Sequence, residues 1–362
     1  MRQSFWYVIT TVIALNASLI ENAWAQKPQT KPAAPQSKRP YVLGTKQLPG
    51  DFGTLGATYT VGSRNPLNVT LVRAEYSIAR LVHDRVLDGR GLRGIVPPVD
   101  KKWLVLHYTV QNPNPTDFRL SWPVLTFTAV GADDQNYKVE SAHLRDTASD
   151  TPYPTGKSVS MSLKPAQKIN LMCALLVPAE GEVPKLIIGR GQDEAAGVVR
   201  YDLRGVVGKL PAGVAGADGF TPKDAFPATI GTTYPWRMFD VAVQSAAFTD
   251  APLFGKPAKD GRFFTVSLKV TPVGKTSQLT GSAFNARLKT ADGETLQPYN
   301  RIGSGILFFA SRDEVYRLKP DVGDPQTVRM VFLVPGTASP ATLSLTERST
   351  ADEFRPYVFE VK

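Results

Sequence analysis

The chain has 362 residues, 42 lysines and arginines against 32 acids, a formal net charge of +10 and a single cysteine. One cysteine excludes an internal disulfide, so stability must come from buried cores. The charge excess is too thinly spread for the clustered basic footprint of a nucleic-acid binder, and no nucleic-acid partner is expected.

The first element in chain order is "MRQSFWYVITTVIALNASLIENAWAQ". Arg2 gives a positive start, Phe5 to Leu15 give a short apolar stretch, and Ala23-Trp24-Ala25 offers small residues before Gln26. This pattern predicts a cleaved signal peptide over residues 1–25 and an extracytoplasmic address, periplasmic or secreted. The apolar stretch falls short of the roughly 20 residues a membrane helix needs, so no membrane span is expected after cleavage. Residues 26–40, "QKPQTKPAAPQSKRP", are rich in Pro, Lys and Gln and lack large apolar side chains. They read as a disordered, semi-rigid tether. Arg2 and Glu21 cancel, and Lys27, Lys31, Lys38 and Arg39 hold four of the ten net charges, leaving six on the rest. That mild excess suits weak attraction to anionic polymers.

About 320 residues remain, more than one core usually organises, so two domains are expected. The chain also repeats itself. "TLGATY" at Thr54–Tyr59 returns as "TIGTTY" at Thr229–Tyr234, and "WLVLHYTV" at Trp103–Val110 matches "FFTVSLKV" at Phe263–Val270. "LKP" and "LVP" at Leu163 and Leu176 return at Leu318 and Leu333. Order is kept while the offsets drift from 155 to 175, which reads as a tandem duplication.

Each copy reads as β, because turn residues punctuate short apolar runs and few stretches hold a helical period. The first copy predicts strands at Asn68–Tyr76, Trp103–Gln111, Leu125–Val130, Ser158–Leu163, Ile169–Val177, Lys185–Ile188 and Val198–Leu203. The second predicts Phe239–Phe248, Phe263–Thr271, Phe284–Thr290, Glu314–Leu318, Thr327–Val334, Thr342–Thr346 and Tyr357–Val361. "TADGE" at Thr290–Glu294 predicts a type I′ hairpin turn. Such spacing suits an antiparallel sandwich. Alternation puts Leu104, Leu106, Tyr108 and Val110 inward with Phe264, Val266, Leu268 and Val270, and leaves Val105, His107 and Thr109 to solvent. Cys173 then aligns with Met330 at a core position. The opposite face of that strand is also apolar (Met172, Ala174, Leu176), which predicts a cover over it.

The segments "LNVTLVRAEY", "WLVLHYTVQN" and "CALLVP", then "FDVAVQSAAF", "FFTVSLKV" and "MVFLVP", resemble the immunoglobulin-like sandwich domains of unknown function found in exported bacterial proteins. The resemblance implies an all-β fold of two tandem immunoglobulin-like antiparallel β-sandwiches and a binding or assembly role. It carries no catalytic residues. The expected organisation is a first sandwich over 41–205, a Gly/Ala/Pro linker over 206–227 and a second sandwich over 228–362.

A search for chemistry returns little. His83, His107 and His143 fit no metal spacing. Cys173 sits in an apolar run that leaves a thiol inert, and no nucleophile elbow is present. Neither metal nor cofactor is expected. Asp133-Asp134 and Asp292 with Glu294 read as turn caps at equivalent hairpin tips. The distinctive loop is "LDGRGLRGIVPPVDKKW", with Arg85, Arg90, Arg93, Lys101 and Lys102, echoed by Lys256, Lys259 and Arg262 in "LFGKPAKDGRFF". Together they predict a basic lip for phosphate or carboxylate groups. Trp122 and Trp236 are candidate exposed aromatics for stacking on sugar rings. The leading expectation is an exported, non-enzymatic interaction or scaffold protein whose partner is a protein or polysaccharide of the cell envelope. The alternative is a carbohydrate-binding module, and a third reading is a hydrolase with its site between the domains.

Overall fold

The structure, a computed structural model, describes residues 44, 51–63, 65–84, 92–121, 124–139, 145–146, 151–152, 160–191, 197–250, 258, 260–273, 278–279, 283–298, 317–318, 323–348 and 353–361. The predicted signal peptide and tether lie outside them. The earlier strands are β1 (Thr58–Val61), β2 (Leu67–Ser77), β3 (Leu81–Asp84), β4 (Leu92–Ile95), β5 (Lys101–Gln111), β6 (Phe118–Ser121), β7 (Leu125–Val130), β8 (Asn136–Lys138), β9 (Arg145–Asp146), β10 (Thr151–Pro152), β11 (Ser160–Leu163), β12 (Lys168–Pro178), β13 (Lys185–Arg190) and β14 (Val199–Asp202). The later ones are β15 (Phe226–Ala228), β16 (Thr233–Pro235), β17 (Phe239–Thr249), β18 (Gly261–Pro272), β19 (Gln278–Leu279), β20 (Phe284–Thr290), β21 (Thr295–Leu296), β22 (Arg317–Leu318), β23 (Gln326–Pro335), β24 (Pro340–Glu347) and β25 (Tyr357–Glu360). Every predicted strand overlaps an observed one. The fold is all-β, with several antiparallel sheets, and no helix among the described residues is long and apolar enough to cross a membrane.

The sheet β1-β2-β5-β12-β9-β10 faces β14-β13-β7-β8 across one core, which includes Leu104, Leu106, Tyr108, Cys173, Phe127, Leu186 and Ile188. The sheet β16-β17-β18-β23 faces β15-β25-β24-β20-β21 across another, with Phe264, Val266, Leu268, Met330, Phe284 and Leu345. The eight inward positions expected on β5 and β18 are each at most 1% exposed. Burying side chains of this size stabilises by about 1.5–3 kcal/mol apiece.

Register recurs between the two bodies. Leu104 faces Leu175 and Phe264 faces Phe332; Leu106 faces Cys173 and Val266 faces Met330; Tyr108 faces Leu171 and Leu268 faces Val328. The bulge recurs too. β2 slips against β5 between Leu71 and Arg73, and β17 slips against β18 between Val243 and Ser245, which leaves Val72 half exposed on the strand. The repeated Thr–Gly–Tyr segments share one turn: Thr54 N–H donates to the Tyr59 hydroxyl at 2.9 Å, and Thr229 N–H to that of Tyr234 at 2.8 Å. Gly56 and Gly231 take φ of +81° and +89° there and donate to Leu71 and Val243 carbonyls. A side chain would strain both glycines.

Three expectations change. The Thr290–Glu294 turn is not type I′, because Gly293 has positive φ and Asp292 does not. Thr290 N–H bonds to the Glu294 carbonyl and Gly293 N–H to that of Thr290, a three-residue loop closing on one left-handed residue. Val105 and Thr109, expected in solvent, are buried. The hairpin β3–β4 lies over this face, with Leu81 and Ile95 packed on Trp103, Val105 and Ala174. That hairpin is the cover predicted over the apolar outer face. Finally, the stretch read as a linker is packed. Val207, Leu210 and Ala215 join the first core, and Phe226–Ala228 pairs in parallel with β25. Its few aliphatic residues, spaced among Gly and Ala, are enough to seat it.

Candidate functional site

The strand β4 belongs to the loop singled out for its basic residues and β3 leads into it; the hairpin they form meets a junction between the two cores. Arg80, just before β3, sends Nη1 to the carbonyls of Trp236 (2.9 Å) and Phe239 (3.2 Å) and pairs with Asp240 at 2.7 Å. Gly94 in β4 leaves no room for a side chain, since a Cβ there would stand 2.0 Å from the Arg237 carbonyl oxygen. The return contact comes from Arg355, which is 7% exposed. Its Nη1 donates to the carbonyls of Pro98 and Lys101 at 3.1 Å each, and its Nη2 donates to that of Val99. Val99 N–H donates to the Glu353 carbonyl at 2.7 Å. Each body thus lends one arginine to cap backbone carbonyls of the other. Charge-assisted bonds of this kind are about twice as strong as neutral ones.

Glu347 closes the junction. Its carboxylate accepts from Arg237 Nε at 3.3 Å and from Met238 N–H at 3.2 Å. Burial raises its pKa, with the Arg237 charge opposing the rise. Between these groups lies a cavity of about 30 Å³ walled by Ile78, Val96 and Pro97 on one side and Trp236, Glu347, Phe354 and Arg355 on the other. Trp236 Nε1 and Arg355 Nε are buried there without a hydrogen-bond partner among the described residues.

The predicted site residues fare unevenly. Lys102 leaves the proposed lip: it is fully buried, with its ammonium 4.2 Å from the Tyr76 ring centre. It donates to the carbonyls of Gly181 and Phe220. Alternation along β5 points it inward beneath the packed 206–227 stretch, which the linker reading could not anticipate. Trp236 also leaves the surface. It is 4% exposed, stacked parallel to Tyr357 at 6.2 Å and edge-on to Phe284, so it cannot serve as a sugar platform. Lys101 stays at the margin and pairs with Asp100 at 3.2 Å. Arg262 is exposed and lies 4.1 Å over the Phe248 ring. Arg93 sits opposite His83 in the hairpin. Arg85, Arg90, Lys256, Lys259 and Trp122 lie outside the described residues, as does His143.

His107 bonds Glu75 at 2.9 Å. Cys173 is buried, and burial raises its thiol pKa well above the ordinary value. Among the described residues no three His, Cys, Asp or Glu side chains gather as a metal site. The arginine clasp escaped sequence reasoning because Arg80 and Arg355 stand 275 positions apart in unremarkable surroundings. No local signal marks either.

No protein-family model matches the chain, and no curated protein matches it. Solved structures similar to part of it include a secreted protein of Mycobacterium tuberculosis, MPT63, at 15% identity over 38% of this chain and 98% of that one, TM-score 0.27. Another is an uncharacterized β-sandwich protein from Clostridium difficile at 13% identity, covering 39% and 95%, TM-score 0.27. A third is the yjhA protein from Bacillus subtilis at 14% identity, covering 37% and 98%, TM-score 0.24.

Proposed function

We propose that the protein is an exported, non-enzymatic interaction or scaffold protein of the cell envelope, made of two tandem immunoglobulin-like sandwiches held as one unit. The recurrence of register, bulge and tyrosine-closed turn in the two bodies supports duplication, since two irregularities coincide on a shared pairing register. The observation that carries the functional reading is the anchored hairpin. Its strands are pinned between Trp103 and Arg237, and the sequence joining them holds Arg85 and Arg90. Anchored strands fix both ends of that basic sequence, which lowers the entropy lost when it meets an anionic envelope polymer. Export rests on the signal-like amino terminus. The aromatic version of sugar binding loses Trp236 and is not carried further.

The test is co-sedimentation of residues 26–362 with isolated envelope material across a salt series. Retention should fall as salt rises, and Arg85→Glu with Arg90→Glu should abolish it at low salt. Retention unchanged at about half-molar salt, where screening is nearly complete, would overturn the charge-driven reading.

A further inference from the structure

A second polar site lies away from the basic hairpin, on the outer face of the second body. The facing strands β20 and β24 put Asn285 opposite Thr346 and Arg287 opposite Ser344. By alternation these side chains share one face, opposite Ala286, Leu288, Leu343 and Leu345 in the core. The segment Glu353–Pro356 borders them. Together with Arg348 they line an open trough of about 310 Å³, within the size range of small-ligand sites. Arg287 and Arg348 are exposed, and neither has an ion-pair partner among the described residues. Arg348 directly follows β24, four residues beyond Ser344, the partner of Arg287, so the two arginine backbones are separated by roughly 13 Å along the strand direction. The trough shares Thr346, Glu347 and Phe354 with the small junction cavity. That neighbouring cavity supplies two buried donors without acceptors, Trp236 Nε1 and Arg355 Nε.

The inventory is therefore two guanidiniums, three neutral polar side chains, two carboxylates and one apolar edge from Phe354 and Pro356. Of the carboxylates, Glu347 is already taken by Arg237 and Met238, which leaves Glu353 on the rim. Donors exceed acceptors, which calls for an acceptor-rich occupant. Guanidinium forks match carboxylates in pairs. Asn, Ser and Thr side chains between them match hydroxyls, and the spacing suits two or three linked rings. We propose that this trough binds a short acidic oligosaccharide of the polyuronate type, with its carboxylates on Arg287 and Arg348 and its hydroxyls on Asn285, Ser344 and Thr346. The site is independent of the basic hairpin, and either can fail without the other.

The experiment is titration of residues 26–362 with trigalacturonate by calorimetry, with maltotriose and inorganic phosphate as comparison probes. Trigalacturonate should bind saturably, and Arg287→Gln with Arg348→Gln should weaken it by about tenfold or more. Both arginines are exposed, so an unchanged melting temperature verifies that the variant is folded. Arg85→Glu with Arg90→Glu should leave this binding unaltered. Absence of saturable binding, equal binding of maltotriose, tighter binding of phosphate, or binding indifferent to the arginine pair would each overturn the assignment.

Discussion

Asn112 shows how much one side chain can hold. Its Nδ2 donates to the carbonyls of Thr116 (2.8 Å) and Leu163 (2.9 Å), while its Oδ1 accepts from Asn114 N–H and Asn114 Nδ2. Asn112→Ala removes four hydrogen bonds, two of which leave the Leu163 carbonyl and the Asn114 N–H without this buried partner, and urea titration should find about 2–4 kcal/mol lost. Ala166 offers the opposite case. It holds a left-handed φ of +62° where the second body has Gly323 at +82°, and each donates its N–H to a carbonyl at the end of the long strand, Asn112 just past β5 or Pro272 closing β18. The Cβ costs about 1–2 kcal/mol in that conformation, so Ala166→Gly should raise the melting temperature despite the added flexibility of the unfolded chain. Lys102 gives a pH signature. Burial lowers its pKa to about 8, against the charges of Asp218 and Glu182, from 10.5. Between these values the unfolded chain holds a proton that the folded chain has released, so stability should rise with pH there. Tyr76, pushed up to about 12 by burial, acts in the reverse sense once an unfolded tyrosine ionises near 10. Cys173, whose thiol is held protonated by burial, opposes the rise from about pH 8.5, where an unfolded thiol ionises. Melts between about pH 8 and 10 should therefore have a more positive slope in the native chain than in Lys102→Met.

At the scale of elements, the hairpin β3–β4 is the part on which the functional reading turns. It covers Trp103 and Val105 with Leu81 and Ile95, and Gly94 lets it approach the Arg237 carbonyl. Gly94→Ala places a methyl group into backbone and should destabilise by about 1–3 kcal/mol, with hydrogen exchange rising first in residues 81–95. Unchanged protection there would show that the hairpin does not bear on the second body. The repeating strands were legible from alternation alone, since Leu104 and Phe264 with their neighbours read as inward and are. The hairpin turns were legible as places but not as types. Asp134 takes the left-handed position at φ +57° in one tip and Gly293 at +95° in the other, so the Asp-Gly pair is not what the turn requires. Gly and Ala dominate the composition of the 206–227 stretch, yet Val207, Leu210 and Ala215, with Val214 and Phe220 beside them, seat it on the first core.

At the scale of the molecule, residues 40–362 behave as one compact unit with two principal cores. Arg80 and Arg355 tie the two bodies at the junction, so their loss should uncouple it before either core melts. Arg80→Ala with Arg355→Ala should split a single calorimetric transition into two and increase the radius of gyration in solution scattering, while each core keeps its strands. A single unaltered transition would mean the clasp contributes nothing to coupling. Local pattern determined the β class, the inward faces and the equivalence of Cys173 with Met330. Each follows from the two-residue side-chain period and from apolar burial, which neighbouring residues express without help. The clasp, the buried Lys102, the enclosed Trp236 and the outer-face trough depend on contacts between residues tens to hundreds of positions apart. Only the closed chain brings those groups within bonding distance, so the tertiary structure alone decided which charges stay exposed and which hold the protein together.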